Sequence, residues 1–190
     1  ILSFSEDEKK IQATYQAAKA LSAYYFDIGF EKITLIEDRF NEYEHHIKSK
    51  SELLNKIKVY LAGSCAMKLI YNESYTNSQS DLLKVKELVG YMMSFDMGDE
   101  KLLDEQKKEI QNYLSAMKDK IKALADTLLE QEKLESADVA RLVNEWARVG
   151  RKVYQGARLN FERAFCKLQS QAVKKDKQMQ KVKIGILTLS

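Results

Sequence analysis

Not one proline interrupts this chain of 190 residues, and only seven glycines are spread along it. Proline and glycine are the residues that most readily stop a helix or turn a hairpin, so their scarcity favours long helices over turn-rich sheet. Charged residues at 31% and hydrophobic ones at 45% supply a solvated surface and a sizeable core, which excludes disorder throughout. No run of about 18 apolar residues occurs, so no segment reads as a membrane-spanning helix. The expected fold class is mainly α, with one or very few short strands.

The helical pattern starts early. Ser5 before Glu6-Asp7-Glu8 reads as an N-cap with an acidic first turn, and Ile11, Tyr15, Ala18, Leu21, Ser22 and Tyr25 fall on one helical face. Gly29 is the expected left-handed stop. Residues 31–37 alternate and are β-branched, which predicts a strand, and the polar stretch 40–50, with His45 and His46, predicts a solvated loop. Ser49 or Ser51 caps a helix to Ile70, and Asp81 opens another to about Phe95. A single long helix follows Asp99, carrying Leu103, Ile110, Leu114, Met117, Ile121, Leu124 and Leu128. Ser136 caps the next helix, and residues 183–189 suggest a short terminal strand.

Charge divides the chain. From Arg141 onward 12 Lys or Arg stand against three acids, so a net acidic body is followed by a basic tail. That tail suggests self-association or contact with acidic protein, lipid or nucleic acid, although no nucleic-acid motif is present and nucleic acid is not the expected partner. Cys65 and Cys166 have neither disulfide-framework nor zinc-knuckle spacing and read as free thiols in a reducing compartment. The start, Ile1-Leu2-Ser3, has no initiator Met and no signal-peptide pattern, so the chain reads as a segment of a longer protein.

The chemistry is concentrated in Tyr15-Gln16-Ala17-Ala18-Lys19. A helical zinc protease carries His-Glu-x-x-His in such a position, because His residues four apart share one helical face and one metal. Residues 13–21, Ala-Thr-Tyr-Gln-Ala-Ala-Lys-Ala-Leu, are similar to Ala-Tyr-His-Glu-Ala-Gly-His-Ala-Leu of the FtsH family of membrane-anchored AAA+ zinc proteases. Lys32 to Ile36 resemble the strand that follows in that family. Residues 51–57 and 61–70 resemble its helix ending Gly-Gly-Arg-Ala-Ala-Glu-Glu. Asn77-Ser78-Gln79-Ser80-Asp81-Leu82 resembles Gly-Ala-Ser-Asn-Asp-Leu, whose last Asp is the third zinc ligand. Met92 to Gly98 resembles Met-Val-x-x-Tyr-Gly-Met-Ser. The resemblance covers about residues 5–145.

It implies an FtsH-peptidase-like helical domain over 1–145, with 146–190 as a basic helical extension. Carried over residue by residue, the ligand positions fall on Tyr15 and Lys19 and the general base falls on Gln16. A neutral phenol, an ammonium and an amide cannot bind zinc or take a proton as His and Glu do. Asp81 alone keeps its ligand type, and the family's acidic pair after the glycines is Met67-Lys68. Neither catalytic residues nor metal are therefore expected in this segment, with zinc only if that reading is wrong. With the fold kept, Lys19 and Asp81 should meet at the former metal position, where an ion pair discharges the carboxylate.

The implied role is a proteolytically inactive domain that supplies oligomerisation, hexameric by resemblance, or docking of other subunits or protein substrates. ATP and any ATPase would lie in a missing portion of the chain, as would the anchor that holds the domain at the cytoplasmic or equivalent face of a membrane. The alternative is a helical interaction module binding acidic partners through its basic tail.

Overall fold

The computed structural model describes residues 4–36, 40, 42–151, 155 and 163. The chain divides into two compact units, Ile1–Arg141 and Leu142–Ser190. The first unit is built on two long helices, α1 (Glu6–Tyr25) and α2 (Lys50–Tyr71). Helix α1 begins in a full capping box: the Ser5 hydroxyl accepts the Glu8 amide, and the Glu8 carboxylate accepts the Ser5 amide at 2.7 Å. Its residues Gln12–Ala23 are buried all round, which marks the central element of a helical core rather than a one-faced surface helix.

Helix α2 is capped by Ser49 and ends on Asn72 in the left-handed conformation, which Asn tolerates better than most residues. It packs along α1 on one side and against α3 (Gln79–Ser94) and α4 (Leu102–Ala116) on the others, while α5 (Lys118–Gln131) packs on α1. A 3-10 turn at Thr76–Ser78 leads into α3. A further helical run covers 136–151. No described helix is long and apolar enough to cross a membrane.

The sheet is a two-stranded antiparallel ribbon, β1 (Lys32–Thr34) with β2 (Lys133–Glu135), in the register Lys32↔Glu135, Ile33↔Leu134 and Thr34↔Lys133. Ile33 and Leu134 point into the core side by side. The fold is thus mainly α with very few strands, as its composition implies. The expected strand 31–37 is shorter because its partner is only three residues long; one further backbone bond, from the Leu35 amide to the Glu132 carbonyl at 2.9 Å, extends the pairing.

Three local expectations need correction. The single helix expected after Asp99 is two, broken at Met117, because α4 follows α2 while α5 follows α1, and one straight rod cannot do both. The left-handed residue after α1 is Asp27 at φ 56°, not Gly29, whose φ is not positive. Gly29 matters for space: a Cβ there would lie 2.6 Å from the Tyr43 ring. The stretch 40–50 is not wholly solvated either, since Phe40 is buried and stacks on Phe30 at 4.9 Å. His45 and His46 are exposed, as expected of that loop. The terminal strand proposed for 183–189 lies outside the described residues, as does Cys166.

At Gly63 the backbone of α2 stands close against a side chain of α1. A Cβ on Gly63 would fall 2.3–2.6 Å from three atoms of the Tyr15 ring, which is fully buried and cannot swing aside. Gly63→Ala should therefore destabilise the domain by about 1–3 kcal/mol, seen as a fall in Tm of about 2–4 °C per kcal/mol. Gly90 in α3 has nothing within 4 Å of the same position, so Gly90→Ala should instead stabilise by about 0.5–1 kcal/mol.

Candidate functional site

Two side chains of α1 meet a third, far along the chain in α3, on one oxygen. Asp81, in the first turn of α3, accepts the Tyr15 hydroxyl on Oδ2 at 2.5 Å, and the same oxygen receives Lys19 Nζ at 2.6 Å. Tyr15 and Lys19 are four residues apart on α1, so both point from one face of that helix. All three are shut away from solvent: Tyr15 is 0% exposed, Lys19 1% and Asp81 1%. Gln16, beside them on α1, is equally buried.

The local sequence brings Asp81 there through polar ties between α1 and the chain that precedes α3. Asn77 donates its amide to Gln12 Oε1 at 2.9 Å, and Thr14 and Tyr71 share a hydroxyl–hydroxyl bond at 3.1 Å. These hold the end of α2 and the 3-10 turn against α1, so α3 starts with its first carboxylate aimed inward. Phe40 completes the enclosure. The Lys19 ammonium lies 4.9 Å from the Phe40 ring centre and 5.5 Å from that of Tyr15, within reach of cation–π attraction.

A second buried polar group adjoins the first. The Tyr60 hydroxyl of α2 donates to a Glu42 carboxylate oxygen, and Lys56 Nζ stands 3.8 Å from the other oxygen of Glu42. Burial, the Glu42 bond and the nearby charges of Glu42 and Asp81 push the Tyr60 phenol well above its ordinary range, so it stays neutral and donates. Lys84 Nζ sits 4.9 Å over the Tyr60 ring. Sequence reasoning singled out none of Phe40, Glu42, Lys56 and Tyr60. A Glu three residues before the His pair, in a run rich in charge, carries no signal that it turns inward.

Lys19 and Asp81, expected to meet, do so, and Tyr15 joins them on the same oxygen. Zinc does not fit the donor set they present. Tyr15 and Lys19 both direct hydrogen-bond donors at the one carboxylate, and the Asp81 oxygen a metal would take already holds two of them. A zinc site asks for three or more N, O or S ligands with free lone pairs. The Gln16 amide cannot take up a proton as a carboxylate base does. Among the described residues no three His, Cys, Asp or Glu side chains gather as a metal group, and His45 instead faces Glu52 at 3.2 Å.

The described thiol, Cys65, lies half-buried on α2 beside a cavity of about 280 Å³ and is free. Burial pushes its pKa up, against the smaller opposing influences of Ser64, Lys107 and Lys68. A raised pKa keeps the thiol protonated at neutral pH. In a Cys166→Ser background, iodoacetamide should therefore alkylate Cys65 more slowly at pH 7.5 than it does free cysteine. The rate should reach half its maximum at a higher pH than for free cysteine.

Among curated proteins the chain is similar to the ATP-dependent zinc metalloprotease FtsH 2 of Thermoanaerobacter sp. (strain X514), 26% identical over 171 aligned residues that cover 74% of this chain and 34% of that protein. The chain thus spans about a third of the length of the relative it matches. No family model matches it. The similarity supports an FtsH-like relationship for the chain, in line with the ordered resemblance of residues 5–145.

The buried ion pair should behave as a unit. Asp81→Asn leaves the Lys19 charge without its counterion and should cost about 3–5 kcal/mol, whereas the double variant Lys19→Met/Asp81→Leu should recover most of that loss. Denaturant unfolding of Lys19→Met, Asp81→Leu and the double variant measures the coupling; additive losses would show that the pair is not coupled.

Proposed function

We propose that this segment is a proteolytically inactive, FtsH-like peptidase domain whose remaining work is structural. It would form part of the oligomer of a longer membrane-anchored AAA+ chain and present surfaces to other subunits or protein substrates. The observation that carries the reading is the meeting of Tyr15, Lys19 and Asp81 at one buried oxygen. These are the positions at which the resemblance expects two His ligands and an Asp ligand. A Lys ammonium stands against the carboxylate in place of a dication, and an amide stands in place of the base.

The reasoning is electrostatic. Burying Asp81 alone would leave a charge in a low-dielectric core, at a cost of several kcal/mol. Either a metal or a cationic side chain can offset it. Lys19 offsets it while offering no Lewis acid to polarise a peptide carbonyl and no bound water to activate. The enclosure by Phe40 and Tyr15 fits a structural junction better than a substrate cleft, which must admit an extended polypeptide. A domain of this kind can still close a ring, because symmetric assembly depends on surface patches and not on the chemistry inside.

Elemental analysis of the purified domain beside its triple revertant, Tyr15→His, Gln16→Glu and Lys19→His, tests this. The unmodified chain should hold no stoichiometric zinc after dialysis against zinc-containing buffer. The revertant should take up one zinc per chain while keeping its helical circular dichroism. Stoichiometric zinc in the unmodified chain, or chelator-sensitive cleavage of casein by it, would overturn the reading.

A further inference from the structure

The cavity of about 280 Å³ beside Cys65 opens between the C-terminal half of α2, the 3-10 turn that leads into α3, and α4. Leu61 and Leu82 give it an apolar lining. Lys68 reaches it from α2 and Lys107 from α4, and among the described residues no acid lines it. Neither ammonium belongs to an ion pair among the described residues. Glu73, next to the lining residue Ser74, spends one oxygen on the Ser74 amide at 2.8 Å and is not part of the lining. The cavity is therefore net positive.

The two ammoniums converge. Both act on the Cys65 sulfur, one from each helix, and both favour its charged form. Burial outweighs them, so the thiol stays protonated and adds no negative charge of its own. Two like charges near one sulfur repel each other, and no carboxylate of the lining stands between them. Polar donors surround them: Ser74 and Tyr75 bring hydroxyls, and Gln111 brings an amide. The Ser64 and Ser78 hydroxyls are instead spent on the backbone carbonyls of Leu61 and Tyr75, at 3.0 and 2.9 Å.

These features select among ligands. Charge excludes a cation, since the lining offers two ammoniums and no carboxylate. An ammonium is a compact point charge with three donors, and two of them near one point suit a single doubly charged head. A phosphate monoester carries about −1.5 to −2 near neutral pH and three strong acceptor oxygens, enough for both ammoniums and a neutral donor. Its ester stem would lie along Leu61 and Leu82. At about 280 Å³ the cavity falls at the small end of ligand sites, roughly 300–1,000 Å³, which favours a small ester over a nucleotide or a polypeptide segment.

We propose that this cavity binds a small free phosphate monoester, its phosphoryl oxygens held by Lys68 and Lys107 and its stem by Leu61 and Leu82. The site uses no residue of the Tyr15–Lys19–Asp81 junction, so it stands whether or not the domain is proteolytic.

The test is a nuclear magnetic resonance titration of the labelled 190-residue chain at constant ionic strength, following the Gln111 side-chain amide and the Cys65 backbone amide. Phenyl phosphate is the probe, phenol the uncharged control and inorganic phosphate the head without a stem. Saturable shifts of both signals with phenyl phosphate and none with phenol are expected. Inorganic phosphate should bind at least about threefold more weakly, because it leaves the two leucines uncovered. Lys68→Gln and Lys107→Gln, checked for unchanged circular dichroism, should each weaken phenyl phosphate binding by about fivefold, the loss of one ammonium contact. Lys122→Gln, an exposed position on α5, should leave it unchanged. Absence of saturable shifts, equal binding of phenol or of inorganic phosphate, tighter binding of a phosphoserine pentapeptide, or unchanged affinity in both Lys68→Gln and Lys107→Gln would each overturn the assignment.

Discussion

The first unit is pinned at one carboxylate oxygen. Asp81 Oδ2 draws a hydroxyl and an ammonium from α1 to the start of α3, while the ring of that same Tyr15 fills the space left by Gly63 on α2. Three helices are therefore fixed in mutual register by one acceptor and one missing methyl group. Apolar packing tolerates sliding by part of a turn, but two charge-assisted bonds to one atom do not. A buried ion pair is weak evidence of high stability, since its desolvation opposes its attraction, but it penalises every arrangement in which the partners separate. The aromatic cover of Phe40 raises that penalty by keeping water out.

In the proposed reading, a lysine standing in for a metal would keep one function of a metal site and give up another. The charge balance and the cross-linking of elements would survive, because both need only a cation of the right reach. An open coordination position and a group of suitable pKa to work beside it would be given up. In the proposed reading the domain keeps the architecture for this reason: the junction still does the mechanical work that a metal would do, without hydrolysing anything.

The sequence disclosed much of this, unevenly. Cap residues wrote the starts of α1 and α2 plainly, since Ser5 and Ser49 with an acid three residues on satisfy helix-end amides by local chemistry alone. The meeting of Lys19 with Asp81 is separated by more than sixty residues, and no periodicity reveals it; only the ordered resemblance to a zinc protease made it an expectation. The break at Met117 had no glycine or proline to announce it, because it follows from which neighbours α4 and α5 pack on. Strand β2 is too short for alternation to register. Glu42 and Phe40 looked like loop residues because sequence polarity averages over a stretch, whereas burial is decided residue by residue once Phe30 and Tyr60 are in place.

The ribbon that joins Ile33 to Leu134 has a temporal consequence. Helix α1 leaves the ribosome before the other named helices, yet it rests against α5, the last of them, and next to a strand whose partner is made about a hundred residues later. At roughly 5–20 residues per second that interval is on the order of 5–20 s. For that time the nascent α1 must carry Tyr15, Gln16 and Lys19 without its full enclosure. Those polar side chains are expensive in the finished core but soluble outside it. The residues that tie the helices together are also ones that let the first helix wait in water.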